Sequence, residues 1–217
     1  MKIFLGNSSF DDVRWAAGCG FLDGVLVSPS ILDSDVSDAR DRALELSRLF
    51  AVPVILSLGS RNAEDLAREA RELARSTDQV ILEFPLALDM VEALHRAVGD
   101  GMQVAASMVF TSAQALLAAK AGAAAVLVHM GALEAQGQSA PATLAEMRNI
   151  FDVQQLECDI IAVRPNSAGQ VAACAASGVD AVVIEVTVLR DLLLHPLADR
   201  TLDALLQSTS GARTRAL

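Results

Sequence analysis

Tyrosine is absent from the 217 residues, and aromatic side chains make up only 4% of a chain that is 53% hydrophobic. The core must therefore be assembled from Ala, Val, Leu and Ile, a set suited to close packing of helices on strands. Positive charge is scarce as well: 17 Lys and Arg face 27 Asp and Glu, a formal charge of −10, with a pI near 4.7. With no basic stripe to meet a phosphate backbone, nucleic acid is excluded as a partner. Cys19, Cys158 and Cys174 are an odd number without CxxC or His/Cys spacing. They are expected to be reduced, buried packing thiols, not a disulfide frame or a zinc site. Long hydrophobic runs are missing too. Stretches such as 121–130 fall short of the roughly 20 residues of a membrane span, so no membrane partner is expected. The start, MKIFLG, is strand-like and lacks a basic segment followed by a long apolar region and cleavage site, which makes the cytoplasm the expected location.

What is present is a repeated alternation. Short apolar runs at 2–5, 24–28, 53–58, 79–84, 102–107, 124–129, 158–164 and 180–186 read as eight strands. Between them lie amphipathic stretches such as AEDLAREARELARS (63–76), whose apolar positions recur every three or four residues. Buried strands joined by helical crossovers are parallel, and eight such units predict a (β/α)8 TIM barrel in a single domain over 1–217; an open doubly wound sheet fits the same pattern. HPLADRTLDALLQS (195–208) predicts an extra C-terminal helix with an apolar stripe of Leu202, Leu205 and Leu206, and 209–217 loses periodicity as a frayed tail.

Four segments carry a family resemblance: MKIFLG (1–6), FLDGVLVSPSIL (21–32), VFTSAQALLAAKAGA (109–123) and SGVDAVVIEVTVLRDLLLHPLADRTLD (177–203). The chain resembles the small, single-barrel transaldolases and fructose-6-phosphate aldolases over essentially its whole length. The resemblance implies an active site at the C-terminal ends of the strands and a homo-oligomer in which the helix over 195–208 packs on a neighbour. It also implies a Schiff-base lysine in strand four, where this chain reads ILEFP and places Glu83. Other family positions differ too. The strand-one aspartate corresponds to Gly6, the strand-two asparagine to Ser28, and the strand-five asparagine and threonine to Ala105 and Ser107. Ala132 stands for the phosphate-binding arginine after strand six, and the S-I-R after strand seven appears as Arg164, Pro165 and Asn166.

Lysine supply bears directly on the chemistry. The chain has two lysines, Lys2 at the start of strand one and Lys120 inside a helix, and neither is expected to meet a substrate carbonyl. A carboxylate can move a proton or form an ester, but it cannot form an iminium. Parity along the strands, carried from the family's lysine position, turns Ser28, Ser57, Glu83, Ser107, His129, Arg164 and Glu185 inward near the catalytic end.

Three readings of that ring stand open. In the first, Glu83, Glu185 and His129 are catalytic acids or bases and Arg164, Ser28, Ser57, Ser107 and Asn166 bind substrate. The reaction would then be of lyase, isomerase, cyclase or hydratase type on a small carbonyl or hydroxylated metabolite, without a cofactor. In the second, Glu83 and Glu185 pair with Arg164 in a buried cluster, and the chain is an inactive metabolite-binding or assembly partner. In the third, Glu83, His129 and Glu185 hold a divalent metal, although no HxH, HExxH or DxD spacing supports it and none is assigned.

Overall fold

Runs of Val, Ile, Leu and Ala with no polar face can only be satisfied when covered on both sides, and the computed structural model covers them so. It describes residues 1–6, 8–28, 36–58, 62–74, 79–198, 200–201 and 205. In chain order the elements are β1 (Lys2–Gly6), α1 (Phe10–Gly18), β2 (Gly24–Val27), α2 (Val36–Phe50), β3 (Val54–Ser57), α3 (Ala63–Ala74), β4 (Val80–Pro85) and α4 (Val91–Gly99). They continue with β5 (Val104–Ser107), α5 (Ser112–Lys120), β6 (Ala125–His129), α6 (Met130–Ala135), α7 (Ala140–Gln154), β7 (Asp159–Val163), α8 (Ala168–Ala176), β8 (Ala181–Ile184) and α9 (Val186–Asp191). The eight strands form a closed parallel barrel in sequence order, with β1 pairing both β2 and β8, which makes the molecule a (β/α)8 barrel. Each strand falls within two residues of its expected run at either end.

Alternation along the strands builds two apolar layers. Phe4, Leu26, Ile55, Ala105, Leu127, Ile161, Val163 and Val183 fill the barrel interior. Leu5, Val25, Val54, Leu82, Val104, Val126, Ile160 and Val182 face outward and pack under the helices. Where aromatic residues are few, Ala and Val set close spacing on both layers. In α3, Leu66, Ala70 and Leu73 are buried at intervals of four and three, the stripe its sequence predicts. Side-chain caps fix the helix starts: Ser9, Thr111, Ser139 and Ser167 each accept an amide hydrogen bond from the first turn of α1, α5, α7 and α8.

Two of the three cysteines are buried, and desolvation pushes the Cys158 thiol up to about 12 and Cys174 to about 11. Cys19 departs from expectation and is exposed, because it is the residue that ends α1. Beyond α9, residues 196–198, 200–201 and 205 are helical, within the segment where a C-terminal helix was expected. The remainder of 195–208, including Leu202 and Leu206, and the tail 209–217 lie outside the described residues. Among the described residues no helix is long and apolar enough to cross a membrane.

Candidate active site

The interior positions of the strands change character along the barrel. Inward residues in the middle of the strands are apolar, and the next inward position toward the C-terminal end is Gly6 on β1, Ser28 after β2, Ser57 on β3, Glu83 on β4, His129 on β6 and Glu185 after β8. These six line one cavity of about 380 Å³, with Leu26, Val163 and Val183 forming its floor.

The register places Ser57 beside Glu83, and the Ser57 hydroxyl donates to Oε2 of the Glu83 carboxylate. Among the described residues Glu83 makes no ion pair. Arg164 Nη2 instead lies 3.0 Å from Glu185 Oε1, and both side chains are about half exposed, 50% and 55%. Of the cluster in the second reading, the Glu185–Arg164 pair is present but faces solvent, and Glu83 stands apart from it, bound by a hydroxyl.

Arg164 reaches the cavity by an unexpected route. Val163 is the inward residue at the end of β7, so strict alternation would turn Arg164 outward. Its φ of +63° breaks the strand geometry and brings it to the cavity wall. His129, partly buried, lines the same cavity at the end of β6, where α6 starts. Burial, assisted by the Arg164 charge, holds the imidazole pKa below its ordinary value against the opposing pull of Glu83, so His129 is neutral near pH 7.

Four polar lining residues escaped sequence reasoning: Ser8, Ser9, Asp12 and Thr187. Ser9 and Asp12 are the N-cap and first turn of α1, and the Ser9 hydroxyl donates to Asp12 Oδ2 at 2.6 Å. Arg190 of α9 donates to Asp12 Oδ1 at 2.8 Å while stacking over Trp15. The Ser9 hydrogen bond first, and then Arg190, hold the Asp12 carboxyl below the usual carboxylate range. The S-x-x-D spacing of a capped helix was the available signal.

A second cavity of about 470 Å³ shares His129, Val163, Arg164 and Glu185 with the first and extends to Phe110, Ala132 and Asn166. Ser107 lines neither; it is buried and its hydroxyl points at the Phe84 carbonyl, 3.5 Å away. Both lysines lie at the other end of the molecule. Lys2 opens β1 and pairs at 3.2 Å with Asp159, which opens β7, and Lys120 closes α5, a helix that returns the chain to the start of β6. Among the described residues no group of three His, Cys, Asp or Glu side chains could hold a metal ion.

Comparison with known proteins supplies the ancestry of this arrangement. The family profile for transaldolase/fructose-6-phosphate aldolase matches residues 47–216. A "probable transaldolase" of Hyphomonas neptunium is 31% identical over 212 residues, 98% of each chain. One of Bartonella tribocorum is 30% identical over 206 residues, 95% of each chain, and one of Clostridium botulinum 26% identical over 211 residues. Barrel, cavity position and near full-length similarity agree: the chain belongs to the transaldolase/fructose-6-phosphate aldolase family.

Proposed function

We propose that this family member works without a Schiff-base lysine, with Glu83 standing where the family carries that lysine, and that it moves protons on a small carbonyl or hydroxylated metabolite. The observation that carries the reading is the separation of amine from cavity. Lys2 and Lys120 are at the barrel end opposite Glu83, His129 and Glu185, and Lys2 is engaged with Asp159. An iminium requires an amine within bonding distance of the carbonyl, whereas a carboxylate and a neutral imidazole sharing one cavity suit proton transfer to and from carbon or oxygen.

In this reading Glu83, oriented by Ser57, is the principal acid or base. His129, neutral at pH 7, shuttles the second proton. Arg164 and the Thr187 hydroxyl face the oxygen on which negative charge develops. Reactions of lyase, isomerase, cyclase or hydratase type can be run by such parts without a cofactor. Gly6 adds support: a Cβ at that position would approach Val183 Cγ1 to 3.1 Å, so an aspartate of the family's kind would require Val183 to give way.

Borohydride reduction in the presence of dihydroxyacetone, fructose 6-phosphate or sedoheptulose 7-phosphate tests the central point. No adduct should form. Turnover accompanied by a reduced adduct on Lys2 or Lys120 would overturn the proposal.

A further inference from the structure

Taking Arg164 as a working group of the site proposed above, we propose that Gln170, which lines neither cavity, is the positioning residue that keeps the Arg164 guanidinium at the cavity wall beside His129. The inference rests on a run of hydrogen bonds from α6 through α8 to the loop in which Arg164 stands.

That loop is held against two backbone preferences. Arg164 has a φ of +63°, a region that residues bearing a side chain seldom adopt. It also precedes Pro165, and the residue before a proline is driven toward extended backbone. Conformations of this kind persist only where the surroundings over-determine them. Before the proline, the Arg164 amide donates to the Val183 carbonyl at 2.8 Å, which ties the residue to β8. Pro165 has no N–H to give. The next anchor is therefore the Asn166 amide, which donates to Gln170 Oε1 at 2.8 Å. One side-chain oxygen thus closes the turn that carries the guanidinium to the cavity.

Gln170 is itself held. Its Nε2 donates to both oxygens of the Glu134 carboxylate, at 3.0 and 3.1 Å. An N–H only donates and a carboxylate only accepts, so a single orientation of the Gln170 amide serves Asn166 and Glu134 together. Glu134 is exposed and Gln170 half-buried, so these bonds orient the loop more than they stabilise the fold. Glu134 lies on α6, the helix that opens directly after His129. The network therefore joins the element next to His129 to the loop that presents Arg164, two residues that line both cavities.

A similar arrangement recurs at the exit of β5, which ties the glutamine to the left-handed residue as well as to the helix start. Met108 has a φ of +57° there, and the amide of Phe110, two residues on, donates to Gln114 Oε1 at 2.9 Å. Gln114 is the third residue of α5, as Gln170 is of α8. In both loops the left-handed residue, the anchored amide and the glutamine keep the same spacing. Capping a helix needs the glutamine oxygen alone. The tie from Gln170 Nε2 to α6 goes beyond capping and fixes the side chain from its other end.

The test uses the folded full chain without substrate and reads His129 by proton magnetic resonance. The chain has three histidines, so the His129 signal is the one missing from His129→Gln, and His95 and His195 are internal controls. Burial chiefly lowers the pKa of the His129 ring, Glu83 raises it and Arg164 lowers it further, so Arg164→Met should raise it. Gln170→Ala should reproduce most of that rise and leave the control histidines where they are. Gln170→Glu sets two carboxylates side by side and should act like Gln170→Ala. Combined with Glu134→Gln it regains an acceptor for Asn166 and a donor between the helices, and His129 should return to its wild-type value. The inference is overturned if Gln170→Ala leaves His129 unmoved, with or without the lower melting temperature that loss of a helix cap alone would give, or moves all three histidines alike. It is equally overturned if the exchanged pair is no closer to wild type than Gln170→Glu, or if Arg164→Met leaves His129 unmoved. A lysine adduct in the borohydride reduction would remove the reaction proposed for the site and leave this relation standing, so the two fail separately.

Discussion

Ser57 and Glu83 are register partners on neighbouring strands, and the serine's hydroxyl is the group that holds the glutamate's carboxylate in the cavity. Among the described residues the carboxylate is therefore held by a neutral donor and not by an ion pair. Glu83→Gln keeps the size and the hydrogen bond, so folding stability should change by less than about 1 kcal/mol. Turnover, once a substrate is in hand, should fall by ~10²–10⁴. Chemical denaturation measures the first now; a loss of several kcal/mol would point to a structural carboxylate and to the inactive, metabolite-binding alternative.

Arg164 and Glu185, although they do form an ion pair, are likewise expected to add little to stability. Both are half exposed, so Glu185→Gln and Arg164→Met should each cost between 0 and about 1 kcal/mol, with a coupling in the double-mutant cycle no larger than that. If the pair serves the substrate, the same two changes should shift apparent affinity far more than melting temperature. A coupling of 3 kcal/mol or more would identify a structural bridge instead.

His129 links the site to pH. Its ordinary value is 6.5 and the folded site lowers it. As pH falls below 6.5 the unfolded chain takes up a proton at this position before the folded chain does. Stability contributed by the neutral ring is complete above 6.5, declines as pH drops toward the folded value, and levels off beneath it. Melting temperatures of the wild type and His129→Gln, followed from pH 7.5 downward, should converge on the acid side if the variant starts lower, or separate with the wild type falling below if it starts level. Parallel curves through this range would show that His129 is not held neutral by its surroundings.

Apolar exposure gathers just past the barrel: Leu193, Leu194, Leu197 and Leu205 are 56% to 67% exposed. We propose that this segment, with the rest of 195–208, packs on a second copy and that the chain is a homo-oligomer. Light scattering at micromolar concentration should give a mass that is a multiple of the 22.8 kDa chain. A monomer with the segment intact would rule the proposal out.

The barrel was legible in the sequence because strands buried on both faces are read from apolar runs alone, and all eight runs were present. The inward positions of Glu83, His129 and Glu185 followed from parity, since strand alternation carries from one neighbour to the next. Arg164 was reached for a reason that parity does not contain, because its left-handed backbone follows from how the chain leaves β7. Asp12 and Ser9 were missed for a related cause. They sit on the first turn of a helix, where position depends on how the loop after β1 returns, and no periodicity encodes that. Ser107 illustrates the converse: its hydroxyl is drawn toward the Phe84 carbonyl, so a residue of suitable type and parity lies outside both cavities.

The backbone at Arg164 also bears on how this site can change by mutation. For an L-residue with a side chain, the left-handed conformation is less stable by about 1–2 kcal/mol, and glycine is the residue that relieves it. Arg164→Gly should therefore ease the backbone while deleting the guanidinium, and β-branched replacements should be poorly tolerated. A library varied at this single codon would separate the two demands: selection for folding should enrich glycine and asparagine, and selection for ligand capture should retain arginine. One dihedral angle, more than any strand register, keeps the cavity's own cation in place.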